Sequence, residues 1–351
     1  RGTVQFEAPK LYAGKVNFAA RYDAGQPKVV EFTLPKYRLT IAPDEKGVWH
    51  PQRAASQDAD LSTAALYLHA ALLAGTVDDE RYRAIKVAFF AREPMPGHLI
   101  ADDHMSHVIK QMRSLLSRAA TRSNCWWQRD ISNGPHVLLP DTKSLRRAVY
   151  IILAHARWRS QEGDHSAAMA DIVALVALGR HQQRDSVLSG CQSGLANELI
   201  TLRQALKLAH TLSDAQRQEL ATALETLPRV TIDNGRVMDS ERATWAWIGK
   251  HGVATLKWPV SLKRPLADEK HLEAVVSAAE TYFDQIEPVL ELPTAEALAR
   301  LKAIQDDIPV PTRSVLYEVL PTFSGLLEWR QRAVDMTAVT IAYLRREELP
   351  S

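Results

Sequence analysis

Cysteine is nearly missing from this chain: Cys125 and Cys191 are the only two in 351 residues. Their separation excludes a CxxC redox or zinc pair and leaves two alternatives, one disulfide in an oxidising compartment or two buried free thiols. A chain of this length buries a sizeable core unaided, so neither a disulfide nor a structural metal is required. Glycine is also sparse, at 15 residues against 46% hydrophobic content, a balance that suits packed helices better than turn-rich sandwiches or barrels. No apolar run approaches the ~20 residues needed to cross a bilayer. Excess charge of either sign is lacking too. The 43 Lys and Arg against 41 Asp and Glu leave +2, no electrostatic footprint for nucleic acid or an anionic membrane surface. GxGxxG, P-loop and zinc-finger spacings are missing, so nucleotide cofactors are not indicated. The first residue is Arg1, not Met, from which we expect that something upstream was removed, a signal peptide or membrane anchor being one explanation.

What is there changes character near residue 57. Residues 1–57 carry β-prone runs at Val16 to Tyr22, Val29 to Leu34 and Tyr37 to Ile41, punctuated by Gly14, Gly25, Pro27 and Pro35, and read as an extended arm or small β-element. From Asp58 a 3.6-residue period takes over, and 58–351 is expected to be a helical domain, divisible into two sub-bundles at a break near 228–268. Its first helix carries the stripe Leu61, Ala64, Ala65, Leu68, Ala71 and Leu72, with Gly75 as a left-handed cap. A second helix runs from Asp78 to Phe90, before the Pro94-Met95-Pro96-Gly97 break. A third spans Asp103 to Ala120, capped by Asp102 or Asp103.

After an irregular segment from Cys125 to Gly134-Pro135, Asp141 or Thr142 caps a helix that stops near Gly163. There the local signal is clearest: Glu162-Gly163-Asp164 joins two helices in a tight turn, with Gly163 supplying positive φ and Asp164 capping the outgoing helix. Ser186 to His210 follows as a helix whose Gly190 and Gly194 admit close contact, and Ser213 with Gln216 forms a capping box. Further helices fit Ser240 to Gly249, Asp268 to Ile286, Thr294 to Gln305 and Phe323 to Arg346, and Lys257 to Pro265 reads as a loop. No fixed repeat can be counted along the chain. The expected fold is therefore all-α: irregular antiparallel helical hairpins in a tetratricopeptide-like superhelix or bundle, preceded by a short β-rich segment.

Chemistry-bearing residues gather in two places. His98, Asp102, Asp103, His104 and His107 form the densest group of metal-ligand types. His104 and His107, three apart on a helix, share a face and with an aspartate at the helix start would hold a divalent ion. Asp102 and Asp103 serve as well as N-cap residues. The second place is Asp239-Ser240-Glu241-Arg242 with Trp245 and Trp247, where Glu241 beside Arg242 suits a general base or metal ligand, and the same residues equally suit a helix start and a core tryptophan. Asp306-Asp307 lacks the third aspartate of a diphosphate-binding motif, and Ser189 to Gly194 lacks the strand of a nucleophile elbow.

Cys125-Trp126-Trp127, Leu138-Leu139-Pro140 with Leu145-Arg146, Ala156-Arg157 to Glu162-Gly163-Asp164, Ala174-Leu175 to Gly179-Arg180-His181, Ser240-Glu241-Arg242-Ala243, Leu320-Pro321 and Ala342 to Arg346 carry a further signal. Over residues 125–351 the chain resembles a large family of uncharacterised exported or membrane-anchored helical proteins common in planctomycete-type bacteria. The resemblance implies an α-helical fold and an exported, periplasmic or envelope location; the residues alone leave a cytoplasmic one open. It implies no activity and no catalytic residues. Members often continue past the position of Leu349-Pro350, so a shortened C-terminus is expected. The leading functional expectation is a non-catalytic interaction or scaffold protein with a protein or peptide partner and no cofactor. The alternatives are a metal-dependent hydrolase or other enzyme at Asp102, His104 and His107 or at Glu241 and Arg242, and a structural subunit of an envelope assembly.

Overall fold

The computed structural model describes residues 17–23, 26–34, 37–43, 49–51, 56–91, 93–127, 129, 140–228, 232–254, 266, 268–307 and 320–346. The chain divides into two compact units, Arg1–Ala59 and Asp60–Ser351. In the first, the backbone of β1 (Asn17–Asp23), β2 (Gln26–Leu34), β3 (Tyr37–Pro43) and β4 (Trp49–Pro51) forms an antiparallel sheet in sequence order. Its register sets Phe32 opposite Phe18 and Leu39, with an irregularity between Arg21 and Tyr22. The expected breaks at Gly14, Gly25 and Pro35 lie outside the described residues.

Helix ends in the second unit follow from short side chains that satisfy otherwise orphaned N–H groups. α1 (Ser56–Gly75) leads to α2 (Asp79–Phe90), where Asp78 accepts the Arg81 N–H at 2.7 Å. Asp102 accepts the Met105 N–H at the head of α3 (Asp103–Ala120), and Pro140 opens α4 (Pro140–Gln161). Proline suits that first position because its missing N–H would be unpaired there anyway. Asp141 and Thr142 therefore lie inside α4 and do not cap it as expected. Gly163 takes φ 81° and Asp164 accepts the Ala167 N–H, so the α4 to α5 (His165–Gln182) hairpin turns where the sequence indicated.

α6 (Leu188–Ala209) and α7 (Asp214–Thr226) follow, the latter closed by the Ser213–Gln216 capping box. α8 (Asn234–His251) starts six residues earlier than expected, because Asp233 caps it through the Arg236 N–H and thereby brings Val237 and Met238 into the core. Asp239 and Ser240 are consequently interior to the helix. α9 (Glu269–Ile286, capped by Asp268), α10 (Thr294–Asp307) and α11 (Leu320–Arg345) complete the unit. The expected loop Lys257 to Pro265 lies outside the described residues.

α1 corrects two further expectations. Among its described side chains Thr63, Ala64, Tyr67, Ala70, Ala71 and Ala74 are buried, whereas Ala65 faces water and Leu72 is 62% exposed; Leu61 lies outside them. The stripe is rotated by about one residue because Tyr67 stacks on Trp127 and hydrogen-bonds His181, contacts that outweigh burying Leu72. Gly75 is not left-handed; among the described residues only Gly163, Gly252 and Arg346 have positive φ, and Thr76 closes α1 by donating its N–H and Oγ1–H to the Leu73 carbonyl.

α5 is the central helix. Ala168, Met169, Ala174, Ala177 and Leu178 point in different directions around it and all are buried, as in a helix enclosed on every side. It packs against α3, α4, α6 and α7. Two apolar cores result. One joins α1 to α5 and α7 with the C-terminal half of α6 and Leu344 near the end of α11; the other joins α8, α9 and α10 to the N-terminal half of α6 and the first half of α11. α6 and α11 thus belong to both cores.

Candidate functional site

The residues singled out in the sequence do not assemble into one centre. Asp102 caps α3 and pairs with Arg81, and the Met105 N–H together with the Arg81 guanidinium holds its carboxyl below the usual carboxylate range. His98, Asp103, His104 and His107 are exposed, and His107 Nε2 meets Gln111 Nε2 at 2.9 Å. Among the described residues, no group of three or more His, Cys, Asp or Glu side chains is placed to hold a metal ion. Glu241 and Arg242, adjacent in α8, diverge. Arg242 bonds Glu287 at 2.8 Å and Asp284 at 2.7 Å on α9 and the turn after it. Glu241 shares the core-facing stripe of Met238, Trp245 and Ile248, has no hydrogen bond or ion pair among the described residues, and is pushed by burial up to about 7. Trp245 is buried and Trp247 stacks on His251 at 4.4 Å.

A polar spine where α5 meets α6 was not anticipated from the sequence. Arg180 donates from Nε to Glu198 at 2.9 Å and from Nη1 to the Leu227 carbonyl at 3.0 Å, tying off the end of α7. Gln183 Nε2 donates to the second Glu198 oxygen at 2.5 Å, and Asn197 Nδ2 to Gln182 Oε1 at 2.9 Å. Arg129 grips the wholly buried Asp185 side chain with two nitrogens. Asp171 receives Arg113 at 2.5 Å and His155 at 2.6 Å. His181 meets the Tyr67 hydroxyl at 2.8 Å through Nδ1, and burial, helped by Arg184, pushes its pKa down to about 4, so it stays neutral. The spine forms because Gly179, Gly190 and Gly194 let α5, the turn after it and α6 approach to where a methyl group would collide: a Cβ on Gly194 would sit 2.6 Å from the Gln183 nitrogen. Both cysteines are free and buried; Cys191 donates to the Asp185 carbonyl at 2.9 Å, and burial drives its thiol pKa far upward, away from nucleophilic chemistry.

Such a spine holds the fold together, since nearly every charge in it is paired and buried. A roomier space for a ligand lies elsewhere. A cleft of about 500 Å³ opens between the end of α2, α4, α5 and α6. Leu153, Ile172 and Leu208 line it, Phe90 stands 61% exposed, and Ser160 meets Thr211 at 3.1 Å. Arg157 and Lys207 are its charged lining residues, and none is acidic. Arg157 donates to the carbonyls of Ala88, Phe89, Ala91 and Glu93, so its charge meets the end of α2 and no carboxylate.

No family profile, curated protein or solved structure matches the chain.

The residues of this cleft come from positions 90 to 211, and no local motif joins them. That none of the described helices is long and apolar enough to cross a membrane agrees with the sequence.

Proposed function

We propose that this chain is a non-catalytic helical binding protein that docks an extended segment of a protein partner in the α2–α4–α6 cleft. The observation that carries this is the make-up of the cleft: an apolar floor, an exposed Phe90, and two cations with no acid among its lining residues. An exposed aromatic ring beside an apolar floor and cations favours a peptide that presents an apolar anchor beside Asp or Glu. Panning a random peptide library on the purified chain tests it, followed by titration calorimetry of the selected peptides. Enriched acidic and apolar sequences, weakened about tenfold by Lys207→Glu and by Phe90→Ser, are expected; peptides indifferent to both substitutions would remove the cleft from consideration. An exported location belongs to the same proposal and rests on the resemblance alone; fractionation of the source cells tests it.

One observation favours a second reading, an enzyme with Glu241 as proton acceptor. Its carboxyl, pushed by burial to about 7 with no partner among the described residues, titrates where a general base works best. A hydrolase substrate panel run on the wild type and Glu241→Gln decides it, since turnover abolished by that single change would establish the enzyme and equal turnover would refute it. Asp102, His104 and His107 enter this reading only if zinc or manganese restores activity lost to a chelator.

A further inference from the structure

A second cavity, of about 250 Å³, lies where α11 packs on α6, beside the C-terminal end of α5. Its buried floor is made by Arg180, Gln183 and Glu198, each at least nine-tenths buried. Ala333, Val334 and Ile341 of α11 form an apolar wall. Fully paired spine residues would leave nothing for a ligand, but two donors and an acceptor are spare. Arg180 uses Nε and Nη1 on Glu198 and on α7 carbonyls, while its Nη2 donates to no described residue. Gln183 commits only its Nε2, leaving Oε1. Arg330, also in the lining, forms no ion pair among the described residues.

The charges sum simply. Arg180 and Glu198 cancel, and Arg330 leaves the cavity with one uncompensated positive charge. A guanidinium presents its N–H groups in a fork that fits a carboxylate. We propose that this cavity binds a small organic monocarboxylate, its anionic end held between Arg330 and the spare nitrogen of Arg180 and its aliphatic or aromatic body lying on Val334 and Ile341. The volume is below that of cavities that take drug-sized ligands, which restricts the body to a short branched chain or a single ring. Glu198 at the floor repels a second negative charge, so dicarboxylates and inorganic phosphate are disfavoured.

Benzoate and isovalerate are the probes, with benzamide and succinate as controls, followed by ligand-observed NMR and calorimetry on the full chain. Saturable 1:1 binding of a monocarboxylate is expected, weakened about tenfold or more in benzamide and in succinate. Arg330→Ala should weaken it by about ten- to a hundredfold, the range of a hydrogen bond to a charged group. Val334→Trp, at a position 59% exposed and therefore tolerant, fills the cavity and should abolish binding, with circular dichroism showing the helices intact. Phe90→Ser and Lys207→Glu, in the other cleft, should leave it unchanged. Absence of binding, equal affinity for benzoate and benzamide, survival of binding in both α11 variants, or loss of binding in the Phe90 or Lys207 variant would each overturn the assignment.

Discussion

Gly194→Ala adds one methyl group to α6 and should be among the most damaging single substitutions in the chain. The new Cβ would lie 2.6 Å from the Gln183 nitrogen, 2.7 Å from the Gly179 oxygen and 2.8 Å from the Gln182 carbonyl carbon. All three are backbone atoms of α5 and its cap, so no side chain can swing aside and the helices themselves must part. Overpacking of this kind costs about 1–3 kcal/mol. Replacing a helical glycine returns up to about 1 kcal/mol of helix propensity, so contacts this short leave a net loss of up to about 2 kcal/mol, to which disturbance of the spine adds. Gly325 supplies the internal control: it also lies within a helix, and nothing stands within 4 Å of its added Cβ. Gly325→Ala should therefore stabilise by about 0.5–1 kcal/mol. Urea titration followed by circular dichroism would read the two variants as midpoints on opposite sides of the wild type. In thermal melts the shifts should be on the order of 2–4 °C per kcal/mol. A Gly194→Ala protein as stable as Gly325→Ala would mean that α5 and α6 do not touch at this point, and the argument for a glycine-seated polar spine would fail.

Titration of His181 gives a second test. Its pKa is about 4 in the fold against about 6.5 in a free chain, so between those values the unfolded state takes up a proton that the native state refuses; stability falls by roughly 3 kcal/mol as pH drops through that window and this residue adds no further loss below it. His181→Asn should lack that slope, and a melting temperature that follows pH as steeply as the wild type would disprove it. Glu241 works in the other direction: its folded pKa of about 7 lies above the free value, so stability falls as pH rises from about 4.5 to 7, by about 1–3 kcal/mol for a half-buried group, and Glu241→Gln should melt higher than wild type at alkaline pH. Arg129→Ala removes the guanidinium that balances the buried Asp185 carboxylate, leaves it the Val187 N–H, and should lose up to about 3–5 kcal/mol, part of it recovered by adding Asp185→Asn; no recovery would show that the charge is not the cause. His104→Ala and His107→Ala, at exposed positions, should stay within about 0.5 kcal/mol of wild type in urea titration, with or without a chelator.

Much of the helical order was legible because caps are local. Asp102, Asp164, Ser213 with Gln216, and Asp268 each act on an N–H three residues away, and each does what its neighbours in sequence imply. Gly163 was legible for the same reason. The phase of α1 was not, since Tyr67 and Leu72 compete for the same inner face and the outcome is decided by Trp127 and His181, 60 and 114 positions from Tyr67. The head of α8 was missed because Asn234-Gly235 has the chemistry of a turn, and only the Asp233 cap shows that it begins a helix. The two cavities were illegible altogether. Arg157 reads in sequence as a surface cation on α4, yet it binds the carbonyl end of α2; Arg180 and Glu198 meet across a helical hairpin 18 positions apart. Neither cavity has a spacing that sequence can display.

The two sequestered thiols give the molecule a built-in pair of reporters. Cys125 belongs to the apolar cluster of α1 to α5, and Cys191 to that of α8 to α11. Neither can meet an alkylating reagent until the packing around it opens, so the rate of modification at each site measures the free energy of opening in its own half. Peptide mapping of a timed alkylation would show whether the molecule unfolds as one cooperative body or as two that share α6.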